Sequence, residues 1–126
     1  MSIDVRVWAT ERFDLPAQLP EPQNWHTYDT PIPKVGNVTN YAYESDGWQV
    51  LVTFGVMRKP TPPDSIRSLD MIEAYIVNVS LEPIGADKSG YAMLERTVRD
   101  LARATNGRWI DPVNGTLHDA DAGSFN

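Results

Sequence analysis

Apolar and polar residues alternate with a period of two from Ile3 to Ala9: Ile3, Val5, Val7 and Ala9 share one side, and Asp4, Arg6, Trp8 and Thr10 the other. That spacing predicts a half-buried strand. The segment VTNYAYES-DG-WQVLVTFGVM predicts a hairpin, because both central positions of a type I′ turn need positive φ, which Asp46 and Gly47 accept at little cost. A two-residue loop sets Ser45 opposite Trp48, Tyr43 opposite Val50, Tyr41 opposite Val52 and Thr39 opposite Phe54. The same residues form the apolar side of the pleat. The other side (Glu44, Gln49, Thr53) is polar apart from Leu51 and Met57.

Further on, Tyr75, Val77, Val79 and Leu81 alternate with Ile76, Asn78 and Ser80, a second half-buried strand that Pro83 ends. The period then changes. Tyr91, Leu94, Val98, Leu101 and Thr105 recur at spacings of three and four, which predicts a helix over about 89–105 with one stripe against a sheet. Asp87 or Ser89 supplies its N-cap, and Asn106-Gly107 a left-handed stop. Glu95, Arg96, Arg99, Asp100 and Arg103 lie on its outer face, which reads as solvated. RWIDPVNGTLHD then gives two short extended pieces joined at Asn114-Gly115. The fold class these elements predict is α+β: an antiparallel sheet of about four to six strands with one long helix packed on one face.

Prolines change the picture between the elements. Of ten in the chain, five fall in residues 16–33 and three more at Pro60, Pro62 and Pro63. Each lacks a backbone N–H and biases its predecessor away from helical angles. Residues of about 14–36 therefore read as an ordered Pro-rich loop pinned by Phe13, Leu15, Leu19 and Trp25, with an edge strand near 25–28, and residues 119–126 as a short, polar, frayed tail.

At 126 residues the expected organisation is a single domain, 1–126, burying roughly two-thirds of its unfolded surface. With 41% hydrophobic and 22% charged residues, wholesale disorder is not expected. Zero cysteines remove disulfides, thiolate metal sites and a Cys nucleophile together. MSIDVRVWATERF has no basic start followed by an apolar run, and no window reaches the length of a membrane span, so a cytoplasmic protein without membrane association is expected.

The net charge is −6, unevenly spread. Residues 88–108 hold five basic and two acidic side chains, a net +3, which leaves −9 for the remainder. Such an acidic body repels phosphate backbones, so nucleic acid is not an expected partner, whereas a basic protein would be steered toward it.

No nucleophile triad, phosphate loop or metal cluster is legible, and no cofactor, metal or catalytic residue is assigned. His118, Asp119 and Asp121 are ligand-type side chains in a tail that does not orient them. His26, with Tyr28 and Asp29 nearby, has the chemistry of a general base but sits alone in the loop. Asp111-Pro112 fits a turn at a sheet end, a place where loops often carry function. Trp8 points to the polar side of its strand, and Trp25 and Trp109 adjoin loops. Exposed tryptophans are enriched at interface hot spots. The interface candidates are therefore Trp8, Trp25, Glu44, Asp46, Trp109 and Asp111. The basic helix face is not the one expected to meet a basic partner, which leaves the sheet's other side and the acidic loops.

Four motifs, LPxxLPxxxxW, YxYESDGWQVLV, VSLEPIGA and LxxxVRDLAxxxNGxWIDPxxGxL, span most of the chain, and together they resemble small acidic immunity proteins, the bacterial antidotes encoded beside polymorphic or contact-dependent toxins. The resemblance implies a cytoplasmic binding protein, not an enzyme, that neutralises a basic toxin domain encoded nearby by occluding its active site. It carries over no fixed functional residues. The alternatives are a small enzyme of unknown substrate using Asp and His residues near the Pro-rich loop, and a structural or assembly component.

Overall fold

The computed structural model describes residues 2–9, 17–33, 36–55, 75–83 and 85–123. Phe13, Leu15, Met57 and the second proline cluster at 60–63 lie outside the described residues. Among the described residues seven strands form one sheet: β1 (Ile3–Ala9), β2 (His26–Ile32), β3 (Gly36–Ser45), β4 (Trp48–Gly55), β5 (Tyr75–Glu82), β6 (Arg108–Ile110) and β7 (Leu117–Asp119). Among the described residues one α-helix, α1 (Lys88–Ala104), lies between β5 and β6 in sequence, and a single 3-10 turn spans Pro22–Asn24. The strand order is β2-β3-β4-β5-β1-β6-β7 and every pairing is antiparallel. The fold class is α+β, as the pattern predicts. The sheet has one strand more than the upper expectation, and the two short extended pieces expected within RWIDPVNGTLHD are both strands of it, β6 and β7.

Register follows hydrophobic alternation. Tyr43 pairs with Val50 and Tyr41 with Val52 across the hairpin. Val50 meets Leu81 and Val52 meets Val79 in the next ladder, and Val79 meets Val5 in the one after. A continuous apolar face results, on which Val50, Val52, Val77, Val79, Leu81, Val5 and Val7 are fully buried. α1 covers it through Gly90, Met93, Leu94, Thr97, Val98, Leu101 and Ala102. Tyr91, placed in the stripe by spacing, stands at its margin and is 36% exposed. The two buried threonine hydroxyls are satisfied within the helix, Thr97 donating to the Met93 carbonyl at 2.7 Å and Thr105 to the Leu101 carbonyl at 2.7 Å.

Both ends of α1 are specified locally. The Asp87 carboxylate accepts from the backbone N–H groups of Ser89 and Gly90, as expected of an N-cap. At the other end Asn106 adopts φ 51°, and the Gly107 N–H donates to the Ala102 carbonyl at 2.8 Å. Asn106 thus takes the left-handed position, and Gly107 is needed for a different reason. A Cβ there would stand 2.2 Å from the Trp8 carbonyl oxygen, so only glycine lets the chain pass so close to β1.

The Pro-rich segment contains more regular structure than its prolines suggest. Pro31 is accommodated because β2 is an edge strand, where the missing N–H can face away from the ladder. Leu19 and Trp25 are buried against the helix-covered face, and the Trp25 indole donates to the Pro20 carbonyl at 2.7 Å. Among the described residues no helix is long and apolar enough to cross a membrane.

Gly107→Ala is expected to lower the free energy of unfolding by about 1–3 kcal/mol, the usual cost of overpacking. Gly85→Ala, with nothing within 4 Å of the added atom, should change it by less than about 0.5 kcal/mol. Urea denaturation of the two variants checks the contrast.

Candidate functional site

The ladders place the candidate acids by position. Glu44 pairs with Gln49 and Gln49 with Glu82, so these groups share the end of the sheet where the Asp46-Gly47 turn lies. β5 and β1 are antiparallel, so the start of β1, with Asp4, is brought to this end too. α1 begins here, because Trp48 Nε1 donates to the Ser89 hydroxyl at 3.2 Å. β6 also ends on this side, passing into the loop that Asp111 opens. One end of the sheet therefore gathers Asp4, Glu44, Asp46, Glu82, Asp87 and Asp111. None of them is ion-paired with a lysine or arginine among the described residues.

Their contacts are neutral or local. Asp4 accepts from Ser80, Asn78 and Ser2, and Glu82 accepts from Gln49 at 3.0 Å. Glu44 lies 3.5 Å from His26 Nε2, with both side chains more than half exposed. Asp46 is exposed. The Ser89 hydroxyl, followed by the Gly90 N–H, holds the Asp87 carboxyl below its ordinary value. Beside this end, burial and then the Glu21 carboxylate raise the Tyr43 phenol above its ordinary value, which keeps it a neutral donor to Glu21.

Two concavities open here. One is a shallow depression of about 540 Å³ between the hairpin turn and the end of β5, walled by Glu44, Trp48, Gln49 and Glu82. The other is a deeper cleft of about 570 Å³ between the start of β1, the first turns of α1 and residues 111–114. Both volumes lie in the range of small-ligand and side-chain pockets.

The tryptophan candidates are corrected. Trp8, Trp25 and Trp109 are 5%, 7% and 1% exposed, so none presents an interface surface. Trp109 pairs opposite Val7 on the helix-covered face, and Arg99 lies over its ring at 5.6 Å. Its indole donates to the Ala122 carbonyl at 3.2 Å, one of the polar partners that buried tryptophans need. Trp8 lies on the opposite face, and its Nε1 has no hydrogen-bond partner among the described residues. The polar side of its strand suggested exposure for Trp8 and adjoining loops did so for Trp25 and Trp109, but sequence spacing could not reveal which elements cover these rings. Glu44 and Asp46 are exposed, and Asp111 is half-buried.

The expectation of a solvated helix face is corrected at Arg99, whose side chain is 16% exposed, and that of a frayed tail is corrected for residues 119–123. Arg99 donates to the carbonyls of Ala120, Ala122 and Gly123 at 2.9, 2.7 and 2.8 Å while paired with Glu95 at 3.1 Å. Arg103 bridges Asp100 and Asp121, which raises its own pKa further above the ordinary value. Arg108 pairs with Asp119 at 3.0 Å and Arg96 with Glu21 at 3.5 Å. The basic island is thus largely neutralised from within. Residues 119–123 are held against α1, and Asp119 and Asp121 point to different arginines while His118 packs on Trp109 at 4.5 Å. No group of three metal-ligating side chains occurs among the described residues. His26 and His118 lie at opposite edges of the sheet, so only His118 meets Asp111, at 3.9 Å.

The joint at Asn114-Gly115 is wider than a two-residue turn. Residues 111–116 form one loop, in which Asp111 N–H donates to the Thr116 carbonyl at 2.8 Å, Gly115 N–H to the Asp111 carbonyl at 2.8 Å, and Val113 N–H to Asp111 Oδ1 at 2.8 Å. Asp111 opens the turn, and its side chain fixes the loop that walls the cleft.

Arg99→Ala should leave three carbonyls without their donor. Hydrogen bonds to a charged group contribute about 1.5–3 kcal/mol, so amide exchange across residues 120–123 should accelerate by roughly tenfold or more. Hydrogen-exchange mass spectrometry reads this directly. For Asp87 the folded pKa is depressed, so its contribution is fully present above the unfolded value and is lost as pH falls through the folded one. Asp87→Ala should therefore lower Tm at neutral pH and flatten the acid limb of the Tm–pH curve relative to wild type, as followed by circular dichroism.

Comparison with known protein families, with characterised proteins and with solved structures finds no match to this chain.

Proposed function

We propose that this chain is a small acidic protein-binding module of the immunity type, which neutralises a basic toxin domain by covering its active site. The observation that carries this reading is a separation of charge. The helix arginines are spent on internal carboxylates and tail carbonyls, whereas six carboxylates at the hairpin end of the sheet are not ion-paired with a lysine or arginine among the described residues. A low-dielectric body bearing unneutralised charge on one end steers an oppositely charged partner toward that end. Glu44 and Asp46, both exposed on the hairpin, are placed to make first contact.

The test is binding to the toxin domain encoded beside this protein's gene, by size exclusion and calorimetry, together with rescue of cells expressing that domain. Absence of both complex and rescue would reject the reading. Replacing Glu44 and Asp46 together by lysine is expected to slow association by about tenfold or more at low ionic strength, with the difference shrinking as salt rises. Stopped-flow association rates across a salt series check it, and equal rates for the two proteins would remove the steering role of the hairpin end.

A further inference from the structure

β1 is paired unequally on its two sides. Toward β5 the ladder runs its whole length, from Ile3 opposite Leu81 to Ala9 opposite Tyr75. Toward β6 it covers only Arg6, Val7 and Trp8. β6 stops there because Asp111 turns the chain into the loop 111–116, so on that side the backbone of residues 2–5 has no strand partner among the described residues. A central strand of the sheet is therefore, for half its length, an edge. Such an edge is a template for another chain.

The space beside it is the 570 Å³ cleft. Residues 2–5 form one wall, Tyr91 and Leu94 of α1 the second, and residues 111–114 the third, with Trp109 between. On its rim Val113 is 92% exposed, an apolar side chain with nothing to cover it. Asp4 and Asp111 are the charged residues of the lining, which contains no lysine or arginine. Backbone, apolar floor and charge thus select the same occupant.

We infer that the cleft receives an extended segment of a basic protein partner, which adds as a short strand beside residues 2–5 of β1, sets an apolar side chain against Leu94 and Val113, and presents a lysine or arginine to Asp111. Of these residues the three that belong to β1, 3–5, span roughly 10 Å of strand, which fits a contact of about three residues. Main-chain hydrogen bonds would provide attachment, and the carboxylates and apolar floor the selectivity. This inference rests on the protein-binding reading and names the chemistry of one contact within it.

The test uses the intact chain and a capped pentapeptide, Val-Arg-Val-Arg-Val, followed by amide chemical-shift changes in NMR titrations. The expected result is movement confined to residues 2–5, 91–94, 109 and 111–114. No movement is expected with Val-Glu-Val-Glu-Val, and loss of at least about tenfold in affinity when alternate peptide nitrogens are methylated. Asp111→Asn keeps the acceptor for the Val113 N–H and removes the charge, so it should weaken binding by about two- to fivefold, as for a partly exposed ion pair. Val113→Lys should weaken it more while leaving Tm unchanged. Shifts centred on residues 44–49, equal binding of the methylated peptide, or no shift at millimolar peptide would each overturn the inference. If the toxin domain binds the Val113→Lys protein as tightly as wild type, the cleft is rejected and the binding module stands. If the peptide seats in the cleft but the toxin domain forms no complex, the cleft stands and the immunity reading falls.

Discussion

Everything else in this structure depends on covering one face of a sheet with one helix. Val5, Val7, Val50, Val52, Val77, Val79 and Leu81 lie on that face with at most 1% exposure, and Leu94, Val98 and Leu101 close over them. Full burial of each such side chain contributes about 1.5–3 kcal/mol relative to exposure, so the face as a whole is a large part of the driving force for folding. It also fixes register. A slip of one residue in any ladder would turn a row of valines to the other side, which makes the pairing of β1 with β5 specific although its partners, from Ile3 with Leu81 to Ala9 with Tyr75, are far apart in the chain.

The same layer constrains how α1 may end. Lying along the central strands, the helix delivers the chain to β6 against the backbone of β1, and the near contact at Gly107 is the consequence. Continuing on the far side of β1, the chain has room for three paired residues in β6 before the Asp111 loop turns it back. The half-open edge of β1 is thus a by-product of where the helix must stop, and the cleft is built from the helix start, the strand start and that loop.

Charge is organised by the same geometry. Helix residues facing away from the sheet would ordinarily be wet, yet Arg99 reaches the carbonyls of residues 120–123, and Arg103 and Arg108 take Asp121 and Asp119. Those cations fold the C-terminal segment onto the body and are no longer a net field. At the hairpin end Asp4 and Glu82 accept neutral hydrogen bonds and Asp87 caps the helix, where a negative charge interacts favourably with the N-terminal dipole. Among the described residues, six carboxylates not ion-paired with a lysine or arginine thus lie at one end of the sheet.

The sequence by itself determined the local elements. Alternation marked β1, β4 and β5, Asp46-Gly47 set the hairpin register, and the spacing of Leu94, Val98 and Leu101 with an Asp87 cap delimited the helix to within a residue. These are determined by contacts within a few residues or by the period of a single element. It also separated the acidic body from the basic helix. It misjudged Trp8, Trp25 and Trp109, the side chain of Arg99 and the tail as far as residue 123, since burial of a ring or the destination of a long side chain depends on what arrives from elsewhere in the chain. Only the tertiary structure decided that Asp4, Glu44, Glu82 and Asp111 meet at one end, that Arg99 is a tether, and that β1 is left half unpaired. Each of these follows from strand order, and strand order is settled by burying one continuous apolar face, a property no single segment possesses.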